Sequence, residues 1–97
     1  MNYRIKITPS FALDLVEIDF NLYQYPQKAK RIMGKIDNAL SALTKMPKMH
    51  PIYEDFPDFR KIVIEDYLVF YLVNEEKKHI EVHRLIHGKL DINKQLR

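Results

Sequence analysis

Between Phe59 and Asp91 the sequence reads FRKIVIEDYLVFYLVNEEKKHIEVHRLIHGKLD, three short β-rich runs with only brief polar breaks between them. Phe59–Glu65 and Tyr67–Val73 are dense in β-branched and aromatic residues, and His79–His87 follows the polar turn Asn74–Lys78. Runs joined this closely favour an antiparallel meander, because a parallel return needs a crossover of a dozen residues or more. The stretch ends on Arg84-Leu-Ile-His87-Gly88-Lys89-Leu-Asp91. Cationic and titratable side chains therefore collect where a sheet gives way to a turn.

The first half of the chain has the other periodicity. Tyr3, Ile5 and Ile7 alternate with Arg4 and Lys6 as a short half-buried strand. Thr8-Pro9 then reads as an N-cap and a first-turn proline. Phe11, Leu15, Ile18, Leu22 and Tyr25 form one helical stripe, and after Pro26 a second runs through Ala29, Ile32, Met33, Ile36, Leu40 and Leu43. Two amphipathic helices with a short link pack as a hairpin. Pro47, Pro51 and Pro57 mark residues 46–58 as a loop, and Asp91–Leu96 is either a short helix or a frayed tail. The order is β-α-α-β-β-β. It predicts an α+β fold in which a helical hairpin packs on one face of an antiparallel sheet and the other face stays open.

A chain of 97 residues is expected to form one domain over residues 1–97. With no cysteine, disulfides, thiol nucleophiles and thiolate metal sites are excluded. No secretory signal and no apolar run near ~20 residues is present, so a soluble, cytoplasmic protein without membrane partners is expected. The net charge of +3 is uneven: residues 1–26 carry −1, 27–48 carry +5, 49–58 carry −3 and 59–97 carry +2. The positive block, with Lys28, Lys30 and Arg31 at its start, is either a solvated helix face or a surface for nucleic acid or an acidic protein.

On the last strand, alternation places His79, Glu81, His83, Leu85 and His87 on one face. Arg84 falls opposite with Ile80, Val82 and Ile86, unless a bulge changes the register. His83 and His87 are too far apart along a strand to share a metal readily, so no metal or other cofactor is expected. His87 beside Gly88 is a candidate proton carrier, or simply a loop histidine bonded to backbone. Arg84, Lys89, Arg60 and Lys61 can line one edge of the sheet and meet a phosphate, or decorate strand ends for solubility. Tyr67 and Tyr71 can stack on a base, but share a face with Val69 and Val73 and so also suit packing. Phosphate-cradling glycine loops and nucleophile elbows are absent.

Taken in order, Tyr3-Arg-Ile-Lys-Ile-Thr-Pro-Ser10, two helices, Phe59-Arg-Lys-Ile-Val63, Asp66-Tyr-Leu-Val-Phe-Tyr71 and Arg84-x-x-His87-Gly88-x-x-Asp91 resemble the RelE/ParE superfamily of bacterial toxins. The resemblance implies a cognate antitoxin partner and one of two activities. ParE-like members bind and poison DNA gyrase, whereas RelE-like members cut mRNA on the ribosome. A nuclease of this kind would use Arg84 on the scissile phosphate and His87 or His50 to move protons. The nuclease pattern commonly has an arginine directly after the tyrosine of the central strand, and Leu68 stands there in this chain. Losing one such donor costs about 3 kcal/mol of transition-state binding. The resemblance therefore points first to gyrase and second to the ribosome and mRNA. An acidic antitoxin segment is expected against Lys28, Lys30 and Arg31, or as a strand added to a free sheet edge.

Overall fold

The computed structural model describes residues 2–96. Its elements are β1 (Arg4–Ile7), α1 (Pro9–Asn21), α2 (Pro26–Leu43), β2 (Arg60–Ile64), β3 (Tyr67–Asn74), β4 (His79–His87) and a short α3 (Ile92–Leu96). The strands lie in one sheet in the order β1-β4-β3-β2. The β2–β3 and β3–β4 pairs are antiparallel as their short links require. β1 pairs parallel with β4, so the sheet is mixed rather than wholly antiparallel. The two helices between β1 and β2 supply the long crossover that a parallel edge needs.

Local signals explain the element ends. The Thr8 hydroxyl accepts the Phe11 N–H at 3.0 Å, and Pro9 occupies the first helical position where a missing N–H costs nothing. Pro26 opens α2 in the same way. Asn74 Oδ1 accepts the Lys77 N–H at 3.0 Å to close the β3–β4 turn, while Glu65 takes the left-handed conformation (φ 52°) in the β2–β3 turn.

α1 lies over β4 and α2 over β2, and their apolar stripes meet the sheet in one core. Phe11, Ile18, Ile32, Ile36 and Leu43 from the helices pack with Ile62, Val69, Tyr71, Ile80, Val82 and Leu85 from the strands. Each fully buried side chain of this size stabilises the fold by about 1.5–3 kcal/mol. Tyr25, expected on the α1 stripe, is exposed because the helix ends at Asn21.

Two expectations for the sheet faces need correction. A bulge interrupts the β3–β4 ladder: Phe70 pairs with Arg84 but Tyr71 pairs with Val82, leaving His83 as the extra residue. Ile80 and Val82 therefore share the helical face with Leu85, while Arg84 goes with Ile86 and Phe70. Nor is the second face wholly open. α3 and the 53–59 segment cover part of it, and a smaller cluster forms there from Phe70, Ile86 and Leu96, with Leu68, Phe59 and Ile92 against it.

Candidate functional site

Past Val82, β4 has no strand beside it on the β1 side, because β1 stops at Ile7. The start of α1 takes over. The Thr8 N–H donates to the Val82 carbonyl at 3.1 Å, and the Thr8 hydroxyl donates to the His83 carbonyl at 2.7 Å. Farther along α1, the Asp14 carboxylate accepts the Leu85 N–H at 2.8 Å, where a neighbouring strand would have offered a carbonyl. Asp14 is the buried charged residue of the chain's described part, and its burial is tolerable because both oxygens are bonded.

Arg84 supplies those bonds. Its Nε reaches Asp14 Oδ2 at 2.8 Å and Nη2 reaches Asp14 Oδ1 at 3.1 Å, a two-pronged charge-assisted pair. Its Nη1 donates to the Gln95 carbonyl in α3 at 2.7 Å. All three guanidinium nitrogens are thus bonded within the chain, and Arg84 ties α1, β4 and α3 together.

The remainder of Arg-x-x-His-Gly-x-x-Asp extends the same junction. His87 Nδ1 accepts the Lys89 N–H at 3.1 Å, which leaves Nε2 to carry the proton in the neutral ring. The Gly88 N–H donates to the Asp66 carbonyl at 2.8 Å, and a Cβ on Gly88 would lie 3.2 Å from that oxygen. Asp91 Oδ1 accepts the Lys94 N–H at 3.2 Å and so caps α3.

A cleft of about 270 Å³ opens beside this junction, lined by Arg84, His87, Tyr67, Asp14 and Glu17 among others. The Tyr67 and His87 rings meet edge-on at 5.1 Å. Burial, then the Asp66 charge, pushes the Tyr67 phenol above its ordinary value, so at neutral pH it donates a proton in hydrogen bonds and does not act as a base. With Asp14 neutralising Arg84 and Glu17 adding a carboxylate that is unpaired among the described residues, the cleft's described lining offers no net positive charge to a phosphate.

The other sequence candidates lie elsewhere. The Arg60 guanidinium holds the loop by donating to the His50 carbonyl at 2.8 Å. Tyr71 is fully buried and its hydroxyl donates to the Pro47 carbonyl at 2.8 Å, which removes it as a stacking surface. His50 packs edge-on against Tyr71 at 6.3 Å, and burial lowers its pKa. His50 packs at Tyr71 and His87 at Tyr67, two positions that lie four residues apart on β3, roughly 13 Å along the strand. Lys61 rests over the Tyr53 ring at 5.7 Å. On α2, Arg31 is committed to Glu65, while Lys28 and Lys30 are not ion-paired among the described residues. Lys89 is exposed on the turn.

A wider groove of about 830 Å³ crosses the other end of the sheet. Lys6, Lys48, Arg60 and Lys77 line it together with Asp58, Glu75, Glu76 and Glu81, four cations against four carboxylates. Among the described residues no three His, Asp or Glu side chains gather as a metal site, and no helix is long and apolar enough to cross a membrane.

Residues 5–92 match the family described as the ParE toxin of the type II toxin–antitoxin system, parDE. The chain belongs to this family. Among solved structures, it is similar to the chromosomal ParDE toxin–antitoxin system of P. aeruginosa, with a TM-score of 0.74 and 20% identity over 90% of this chain and 97% of that one. It is also similar to a mutant of the E. coli toxin RelE in the free state, with a TM-score of 0.69 and 16% identity over 98% of this chain and 93% of that one. The RelBE2 toxin–antitoxin complex of Mycobacterium tuberculosis gives a TM-score of 0.66 and 16% identity over 90% and 99% of the two chains. No curated protein matches the sequence.

For this ParE-family chain, the residue that sequence reasoning missed is Asp14. Its signal was present: a lone acid three residues after Phe11 and four before Ile18 sits inside an apolar stripe and needs a partner. The bulge also separates His83 from Leu85 and His87, with which parity had grouped it on one face. As the bulge residue His83 packs against Phe59 at 4.9 Å, with Nδ1 3.4 Å from Glu81 Oε1. The spacing Ile80-x-Val82-x-x-Leu85, one residue longer than strict alternation, is the mark of that bulge.

Proposed function

We propose that this toxin arrests growth by binding a protein target, DNA gyrase, and that a cognate antitoxin silences it. One observation carries the reading. Arg84, the cation a nuclease would place on the scissile phosphate, is bonded through all three nitrogens to Asp14 and the Gln95 carbonyl. Freeing it would break a largely buried ion pair, which costs about 3–5 kcal/mol when one partner is left behind. Leu68 supports the same reading. It packs into the apolar cluster under α3, at the position where a nuclease would present a second cation. The wide groove, with balanced charges, suits a protein surface better than a polyanion.

The test is controlled expression of the chain without its antitoxin, following DNA breaks, supercoiling and transcript integrity together. Broken DNA with intact transcripts is expected. Rapid, codon-phased cleavage of mRNA with intact DNA would overturn the gyrase reading and return Arg84 and His87 to catalysis.

A further inference from the structure

The cleft beside Arg84 is poorly suited to a phosphate, and the same lining suits a cation. Asp14, Glu17 and Asn21 stand three and four residues apart, so they share the face of α1 that borders it. Asp14 and Arg84 cancel, which leaves Glu17 as a carboxylate without an ion-pair partner among the described residues. Arg84 is the one lysine or arginine among the described residues that line the cleft. The last turn of α1 carries no basic residue either, so the carbonyl end of the helix adds a partial negative charge that α1 itself does not offset.

The aromatic wall points the same way. Tyr3 and Tyr53 each already hold a lysine over the ring, Lys78 at 5.2 Å and Lys61 at 5.7 Å. Tyr67 lines the cleft beside His87 and holds none among the described residues. A tyrosine ring and a carboxylate in one small cavity suit a guanidinium, which stacks on the first and forks its N–H groups to the second. Glu17 and Asn21 lie one helical turn apart, so a planar fork can meet the carboxylate and the amide oxygen together. Size narrows the guest further. At about 270 Å³ the cleft falls below the roughly 300–1,000 Å³ of pockets that enclose a drug-sized ligand, which leaves room for a single side chain.

We infer that this cleft receives one arginine side chain of the toxin's protein target, its guanidinium held by Glu17 and the Asn21 amide and laid against Tyr67. This holds only for a toxin that acts by binding protein, as proposed above, and it adds the side chain that such a target must present.

The probe is N-acetyl-arginine amide, with N-acetyl-citrulline amide as its uncharged isostere. Each is titrated into the intact, isotope-labelled protein at physiological salt and followed through the backbone amide shifts. The arginine amide should saturate with a Kd of about 1 mM and move the amides of Glu17, Asn21, Tyr67 and His87. The citrulline amide should bind at least about tenfold more weakly. Glu17→Gln should weaken arginine-amide binding about tenfold and Glu17→Lys should abolish it, neither moving the melting curve, because Glu17 is exposed. Asp19→Lys makes the same charge change on the far side of α1, outside the cleft, and should leave the titration unchanged. Equal response to the two amides, shifts scattered away from the cleft, or equal losses from Glu17→Lys and Asp19→Lys would each overturn the proposal. The second arm is expression of Glu17→Lys without antitoxin, which should break DNA at least about tenfold less than the parent chain. Undiminished DNA breakage by this variant would overturn the cleft's role while leaving gyrase as the target. Codon-phased mRNA cleavage by the parent chain would instead remove the protein target, and the arginine with it, whatever the titration gives.

Discussion

Arg84 and Arg31 grip their carboxylates with nearly the same fork. Arg84 meets Asp14 through Nε and Nη2 at 2.8 and 3.1 Å, and Arg31 meets Glu65 through the same atoms at 2.7 and 2.8 Å. Their surroundings differ. The first pair has side chains 21% and 10% exposed, the second 52% and 21%. Asp14 also holds the Leu85 N–H, and Arg84 also holds the Gln95 carbonyl, so the inner pair joins three elements. Among the described residues Glu65 is shared only between Arg31 and Lys35, on one exposed helix face. Geometry alone therefore does not rank these interactions. Removal from water and the number of dependent bonds do.

The comparison is most directly broken at Asp14. Asp14→Ala should cost about 3–5 kcal/mol in urea denaturation, because it strands a largely buried guanidinium and an unbonded Leu85 N–H. A loss below about 1 kcal/mol would place the inner pair in the same class as the outer one. Next is Arg84→Met, which keeps an apolar stem but loses the fork. We expect a loss of about 2–3 kcal/mol, with faster amide exchange in residues 92–96 as α3 loses its tie to β4. If exchange in α3 is unchanged, the Gln95 carbonyl bond does not hold the helix.

A smaller effect is expected at Gly88→Ala, where the new Cβ meets the Asp66 carbonyl at 3.2 Å and the backbone must give by a few tenths of an ångström. About 1 kcal/mol is expected from thermal melting, and an unchanged melting point would mean that the turn carrying His87 is loose. The smallest effect belongs to the outer pair. Hydrogen bonds from Arg31 and Lys35 hold the Glu65 carboxyl down from 4.5 to about 2. A depressed folded-state value adds stability above the unfolded value, and that stability is lost as pH falls from about 4.5 toward about 2. Glu65→Gln should flatten this part of the pH–stability curve and lose, between pH 6 and 8, the same contribution, which solvent screening of an exposed pair keeps small. A large loss at neutral pH would mean that the outer pair matters as much as the inner.

Much of the fold was legible in the residues because it rests on local rules. Period-2 runs, two helical stripes and the Thr8-Pro9 start each follow from side-chain spacing along a short segment. The candidate site was less legible. Arg84 and His87 were found as chemistry-bearing residues beside a turn, but their bonding depended on Asp14, seventy residues from Arg84, and on a helix whose existence was left open. Tyr71 illustrates the same limit. Its parity with Val69 and Val73 was correct, yet only the 46–50 loop folding back to offer the Pro47 carbonyl explains a tyrosine with no exposed surface.

By itself, the sequence determined an α+β chain of the order β-α-α-β-β-β and marked its superfamily through residues that shape one junction. Tertiary structure decided that β1 runs parallel to β4 and that Arg84 closes on Asp14. The reason is range. Strand direction at a distant edge, and the partner of a buried charge, depend on where a helical hairpin returns the chain. Spacing along the sequence carries no record of that.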